Sequence, residues 1–116
     1  MFGRKDQVKQ GMVDIYAHKG LMLMDQNRYE EAMSELKKSL EINDRQHDVM
    51  CNIGICFVQA TVQELLNTNG AYKQDAVQTF DIAQDYFLKA IKLKPNYQLA
   101  KDNLSRLRDF RISNGY

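Results

Sequence analysis

Apolar side chains recur with a helical rhythm along the second half of the chain. Between residues 76 and 91 they are spaced mostly by three or four, which keeps them on one face of an α-helix. This stripe consists of Ala76, Phe80, Ala83, Phe87, Ala90 and Ile91. Lysines near its end suit the helix dipole, and Pro95 ends the segment because proline cannot continue the hydrogen-bond ladder. The pattern therefore predicts one long amphipathic helix.

The same spacing, followed along the whole chain, predicts an all-α fold of about five helices. A single proline and an abundance of leucine, alanine, lysine and glutamate agree with this class. The residues at 67–70, Asn-Thr-Asn-Gly, predict a turn between the third and fourth helices. The predicted helices cover residues 6–25, 28–42, 46–66, 72–93 and 96–112.

The chain also repeats itself at two offsets. Tyr16 and Gly20 are matched 34 residues later by Met50 and Gly54. Further on, a second set of positions recurs at an offset of 51 residues, which is 34 plus 17. In that set Tyr29, Ala32, Leu36, Ser39 and Leu40 correspond to Phe80, Ala83, Phe87, Ala90 and Ile91. Two helix-turn-helix repeats are indicated, the second with 17 additional residues that we expect to lengthen its two helices by about two turns each.

At these positions the chain resembles the tetratricopeptide-repeat (TPR) family, whose period is about 34 residues. The first repeat departs from the family pattern at Lys19 and Asp44, which suits a partly exposed terminal repeat. The resemblance implies antiparallel helical hairpins in one domain, with repeat 1 at about 13–46, repeat 2 at about 47–97 and a capping helix at about 98–112. The second repeat matches through Met50, Ile53, Gly54, Phe57, Phe80, Ala83, Phe87, Ala90 and Pro95.

The lengthened second repeat resembles repeats in two particular groups of TPR proteins. It is similar to the last repeat of the photosystem I assembly factor of plastids and cyanobacteria, around the stretch at 80–91. It resembles less closely the plant-type mitochondrial import receptor, which also has two repeats with long insertions. These likenesses imply a role in complex assembly or in the recognition of targeting peptides.

Charge and hydropathy exclude several classes of partner. A formal charge of +1 provides no long-range field that would gather nucleic acid. No apolar run is expected to reach the roughly 18 to 20 residues of a membrane span, and the first residues lack the apolar segment of a signal peptide. From residue 81 onward seven basic residues stand against four acidic ones. Such an excess is usually a solvated face, and peripheral contact with an acidic partner or an anionic membrane stays open.

Candidates for catalytic or metal chemistry are few. Cys51 and Cys56 are turned to different faces of one predicted helix, so we expect reduced, packed thiols and an intracellular location, in the cytoplasm or an organelle interior such as the plastid stroma. His18 and His47 lack ligand-spaced partners and are expected at the surface or between helices. Phosphate-binding loops, nucleophile elbows and Cys-x-x-Cys pairs are absent from the sequence. The sequence therefore predicts no enzyme, no cofactor and no metal.

The TPR resemblance implies a binding groove lined by the first helix of each hairpin and by the capping helix. Apolar anchors beside acidic groups there suit an amphipathic helix or an extended peptide with some positive charge. The alternative is that the apolar members merely pack together. The predicted groove consists of Asp14, Ala17, Leu21, Met24, Asp48, Cys51, Asn52, Ile55, Val58, Leu99, Asp102 and Arg106.

Some TPR proteins grip the C-terminal carboxylate of a heat-shock chaperone with a clamp of Lys, Asn and Arg. Asn52 fits one clamp position, but none of the other four is cationic, so we expect no such docking. Those four positions are Ala17, Leu21, Leu99 and Asn103.

The sequence as a whole predicts a non-enzymatic interaction module that binds a protein or peptide client in the groove or on the long hairpin. A receptor for amphipathic targeting peptides is the alternative, and an enzyme is disfavoured. Two repeats and a cap make a small array, so self-association into a homo-oligomer is also left open.

Overall fold

The computed structural model describes residues 3–71 and 73–116, and this part of the chain forms five α-helices without a strand. The predicted all-α class is confirmed, and the predicted helix ends lie within two residues of the observed ones. Residue 72, the predicted start of the fourth helix, lies outside the described residues. The helices are α1 (Arg4–Asp25), α2 (Tyr29–Ile42), α3 (His47–Asn67), α4 (Lys73–Leu93) and α5 (Gln98–Asn114).

The turns between helices depend on residues that tolerate a left-handed backbone. Asn27 has φ of 59° between α1 and α2, and Asn69 and Gly70 have φ of 51° and 76° after α3. Asparagine and glycine accept this conformation at the lowest cost. Gly115, with φ of 73°, likewise ends α5. The predicted turn after the third helix is therefore confirmed.

The helices pair as antiparallel hairpins that cross closely at glycine. A Cβ atom built on Gly20 in α1 would lie 2.5 Å from Leu36 Cγ in α2. One built on Gly54 in α3 would lie 2.7 Å from Phe87 Cε1 in α4. The offset of 34 residues between the two glycines thus marks the same close helix crossing in both hairpins, as the sequence predicts.

Helix α3 lies at the centre of the molecule and contacts all four other helices. Its residues Val49, Ile53 and Cys56 are buried in a first core cluster with α2. Its Cys51 is buried in a second cluster with α4 and α5, and Phe57 packs against both clusters. The second cluster contains Cys51, Ala76, Phe80, Ala83, Phe87, Ala90, Ala100, Leu104 and Leu107.

The 17 additional residues continue both helices of the second hairpin. Helices α3 and α4 have 21 residues each, or about 30 Å at 1.5 Å per residue. The molecule is correspondingly long, with extents of 52 × 28 × 20 Å. The prediction that the additional residues lengthen the two helices is therefore confirmed.

Helix α3 is also long and apolar enough to cross a membrane, by length and composition alone. The prediction that no segment has these properties is wrong for this helix. Its packing accounts for the apolar composition, because Val49, Ile53 and Cys56 face α2 while Cys51 faces α4 and α5.

The C-terminal end is fastened to α4 by aromatic and ionic contacts. Tyr116 packs edge-on against Phe80, with ring centroids 5.6 Å apart, and stacks on Phe110 at 6.0 Å. Arg111 forms an ion pair with Asp81 at 2.8 Å between nitrogen and oxygen, and it donates to the main-chain oxygen of Tyr116 at 3.2 Å. Part of the basic excess predicted near the C-terminus therefore serves the fold and not a partner.

Candidate protein-binding groove

Helices α1, α3 and α5 form a row, because α3 contacts both α1 and α5. Each of the three also packs on the second helix of a hairpin. The residues predicted to line the groove fall on this row. The exposure of each side chain decides whether a partner can reach it.

Helix α1 offers a mixed surface to the groove. Its buried residues Val13 and Gly20 face the core, which leaves Asp14 exposed and Leu21 44% exposed. Ala17 and Met24 are half-buried and pack against the first core cluster. Leu21 is therefore one of several apolar side chains that α1 presents to solvent, and it is the one at a predicted groove position.

Helix α3 forms the middle of the row. Ile55 and Val58 are half-buried and pack against the second core cluster, so each presents only part of its surface. Asn52 is half-buried and Asp48 is exposed. The assignment of Cys51 to the groove surface is wrong, because its side chain is fully buried between α3, α4 and α5.

Helix α5 completes the groove with one apolar and two charged residues. Leu99 is 47% exposed, and Asp102 and Arg106 are exposed. The alternative that Leu21 and Leu99 merely pack together does not fit exposures close to one half. Both side chains are available to a partner.

The charged residues among the predicted groove positions are mostly negative. Asp14, Asp48 and Asp102 contribute three carboxylates against the single guanidinium of Arg106. Gln10 donates to Asp14 at 2.9 Å in α1, and Gln98 donates to Asp102 at 2.8 Å in α5. None of the ion pairs found within residues 3–71 and 73–116 involves these carboxylates. They can therefore attract a cationic segment.

The cysteine and histidine side chains have structural roles here. Both cysteines are unpaired and buried, as predicted. Burial, and to a smaller extent the charge of Asp48, raises the pKa of Cys51 to about 11, and burial raises the pKa of Cys56 to about 12. Both thiols are protonated at neutral pH and are poor nucleophiles. His47 packs edge-on against Tyr97 at 4.6 Å, an interhelix position as predicted.

Metal ligands are not grouped in the part of the chain that the structure describes. No three His, Cys, Asp or Glu side chains come together there in a way that could hold an ion. The arrangement offers side-chain surface and charge for binding, and the described residues do not form a catalytic constellation.

A second concavity, on the other side of α3, was missed by sequence reasoning. It has a volume of about 450 Å³ and lies between α2 and the lengthened parts of α3 and α4. The signal that could have revealed it is the insertion itself. Helices that extend beyond a shorter neighbour leave part of their inner face uncovered.

Comparison with known protein families supports the repeat architecture. Residues 13–46 match the family model described as Tetratricopeptide repeat. A search of curated proteins finds no match to the chain. The match identifies one tetratricopeptide repeat within the chain, and repeats of this kind are typical of non-enzymatic protein–protein interaction scaffolds. The boundaries of the second repeat and the capping helix stay predictions.

Proposed function

We propose that the chain is an adaptor or assembly factor that holds a client polypeptide in the groove formed by α1, α3 and α5. The observation that carries this proposal is the exposure of Leu21 and Leu99 on either side of Ile55, with three carboxylates beside them. Apolar anchors flanked by acids suit an amphipathic client segment with positive charge.

A narrower proposal rests on the lengthened second repeat. Because this repeat resembles that of the photosystem I assembly factor, we propose assembly of a photosynthetic complex as the pathway. The location would then be the plastid stroma or the cytoplasm of a photosynthetic bacterium. The client would be a subunit of that complex.

A receptor for amphipathic targeting peptides is the second candidate, favoured by the carboxylates of Asp14, Asp48 and Asp102. The two candidates differ in the range of their ligands. An assembly factor binds one or two folded subunits, whereas a receptor binds many weakly related basic amphipathic peptides.

Affinity capture from the source cell tests the groove with the variant Leu21→Glu, Ile55→Glu. We expect a specific client to be captured by the wild type and reduced at least about tenfold by the variant, because a buried carboxylate in an apolar interface costs more than 1 kcal/mol. Met22→Glu, Leu88→Glu is the matched control, since these two residues are 50% and 41% exposed outside the predicted groove.

Folding must be checked separately, because Ile55 is half-buried. The single variant Leu21→Glu changes a more exposed side chain and should weaken capture without a loss of helix content by circular dichroism. Equal capture by wild type, control and groove variants would refute the groove. Retention of many unrelated basic peptides in place of one subunit would favour the receptor.

A further inference from the structure

The second concavity is formed by the helices that the insertion lengthens, and we call it the insertion cleft. Helix α2 supplies one wall, α3 the floor and α4 the other wall. The cleft is open to solvent and has a volume of about 450 Å³. Its lining residues are Glu30, Met33, Phe57, Ala60, Thr61, Glu64, Leu65, Asp75, Ala76 and Thr79.

The cleft exists because the second hairpin is longer than the first. Helix α1 ends five residues after Gly20, whereas α3 continues thirteen residues beyond Gly54, the corresponding position. Helix α4 begins seven residues before Phe80, the counterpart of the first residue of α2, Tyr29. The lengthened parts thus extend by about 10 to 12 Å. Within the described residues, no Cα atom of α2 lies within 8 Å of a Cα atom of α4, which leaves a space between the two helices above α3.

This cleft lies opposite the proposed groove. Ile55, on the groove side of α3, and Glu64, in the cleft, are nine residues apart. Nine residues are about 2.5 turns of an α-helix, which places the two side chains on opposite faces. A ligand in one site therefore does not occupy the other, and the two can be tested independently.

The floor and walls of the cleft are largely apolar. Phe57 stacks on Tyr86 with centroids 5.8 Å apart, and Met33 and Leu65 are half-buried beside it. The hydroxyl of Thr61 donates to the Phe57 carbonyl oxygen at 2.6 Å, so its proton is already used within α3. An apolar side chain entering the cleft would bury this surface without leaving a donor unsatisfied.

The charges around the cleft differ between its two ends. Glu30, Glu64 and Asp75 are exposed, and the ion pairs formed by residues 3–71 and 73–116 include none of them. At the other end, Lys37 lies 5.1 Å above the Phe57 ring. Glu30 and Lys37 are seven residues apart on α2, or about 10 Å along the helix.

We propose that the insertion cleft binds an amphipathic helix of a partner protein, with apolar anchors over Phe57 and Met33. The charges around the cleft determine which charged side chains the partner helix carries. Lys or Arg side chains of the partner lie near Glu30, Glu64 and Asp75, and an acidic side chain about two turns away lies near Lys37. The volume is in the range of about 300 to 1,000 Å³ that is usual for ligand sites, enough for one or two large anchors.

Two synthetic peptides of about 14 residues test the charge requirement against the full chain. Both carry the same Leu seam, and one has three Arg at one end where the other has three Glu. By fluorescence anisotropy we expect the Arg peptide to bind at least about tenfold more tightly, and to weaken when the ionic strength is raised to about 0.5 M. Equal affinity of the two peptides, or no binding of either, overturns the proposal.

A charge reversal in the protein locates the site. Glu64→Lys should weaken the Arg peptide about tenfold or more, whereas Glu41→Lys, an equally exposed acid on α2 outside the cleft, should not. Both changes are at exposed positions, so folding is retained. Equal effects of Glu64→Lys and Glu41→Lys would contradict binding in the cleft. Dimerisation of the chain that the peptide reverses would also contradict the proposal, because the occupant would then be a second copy of the chain.

Amide chemical shifts separate this inference from the proposed function. The Arg peptide should shift Thr61, Leu65 and Ala76, and its affinity should be unchanged in the groove variant Leu21→Glu, Ile55→Glu. Shifts confined to the groove would overturn the cleft and leave the proposed groove intact. If the groove variant lost client capture but bound the Arg peptide as the wild type does, the result would support both the proposed groove and the insertion cleft.

Discussion

Replacing Gly54 by alanine tests whether the helix crossing explains the repeated glycine. In a helix interior, alanine is favoured over glycine by about 1 kcal/mol. Here the added Cβ would lie 2.7, 2.9 and 3.0 Å from three ring carbons of Phe87. That ring is fully buried in the second core cluster. Overpacking a core costs about 1 to 3 kcal/mol, and the ring is rigid, so we expect a net loss of about 1 to 2 kcal/mol.

Urea unfolding followed by circular dichroism measures this change, and thermal unfolding should show a fall in Tm of about 4 °C per kcal/mol for a domain of this size. Gly11→Ala is the matched control, because it also lies inside a helix and its Cβ would meet no atom within 4 Å. It should stabilise the protein by about 0.5 to 1 kcal/mol. Phe87→Leu should partly rescue Gly54→Ala. If Gly54→Ala and Gly11→Ala stabilised the chain alike, the crossing would not be what requires glycine.

Two further predictions concern buried polar groups. Ser39, fully buried in α2, donates to the Val13 carbonyl oxygen at 2.9 Å, so Ser39→Ala should cost about 1 kcal/mol in urea unfolding, and the exposed Ser34→Ala almost nothing; equal losses would refute a role for this bond. The raised pKa values of Cys51 and Cys56 predict that a disulfide reagent at pH 8 modifies them only after unfolding. Because these thiols ionise near pH 9 when exposed, unfolding should become easier as pH rises from about 9 toward 11, and double replacement by alanine should flatten this dependence.

The helices could be predicted because their signals are local. The three-four spacing that ends at Pro95 and the turn at Asn69 and Gly70 are properties of short segments, and the observed helices follow them closely. The pairing of α1 with α2 and of α3 with α4 could also be predicted, since Gly20 and Gly54 recur at one period. Periodicity and repetition in the sequence are thus enough to predict the two hairpins.

The candidate groove could be predicted only in part. Leu21 and Leu99 are exposed as expected, because each lies to the side of the buried residues of its own helix. Cys51 was misplaced because the family pattern assigns a face by counting from Gly54, whereas burial also depends on how α5 packs over α3. A residue at the edge of a helical face is buried or exposed according to a neighbour distant in sequence.

The insertion cleft lay beyond sequence reasoning for a related physical reason. Its walls come from α2 and α4, whose Cα atoms stay more than 8 Å apart, and its depth depends on how far one hairpin extends past another. Residues such as Glu30, Glu64 and Asp75 form no sequence motif. Only the register between the hairpins brings them to one end of one space.

The central place of α3 has a consequence for how the molecule loses its structure. In long arrays each repeat touches only its neighbours, and stability is close to a sum of repeat and interface contributions, so ends can fray. Here a single helix contacts the other four and supplies side chains to both core clusters, with Phe57 packed against each. Neither hairpin can detach without uncovering the interior of the other. The two hairpins thereby form a single cooperative unit.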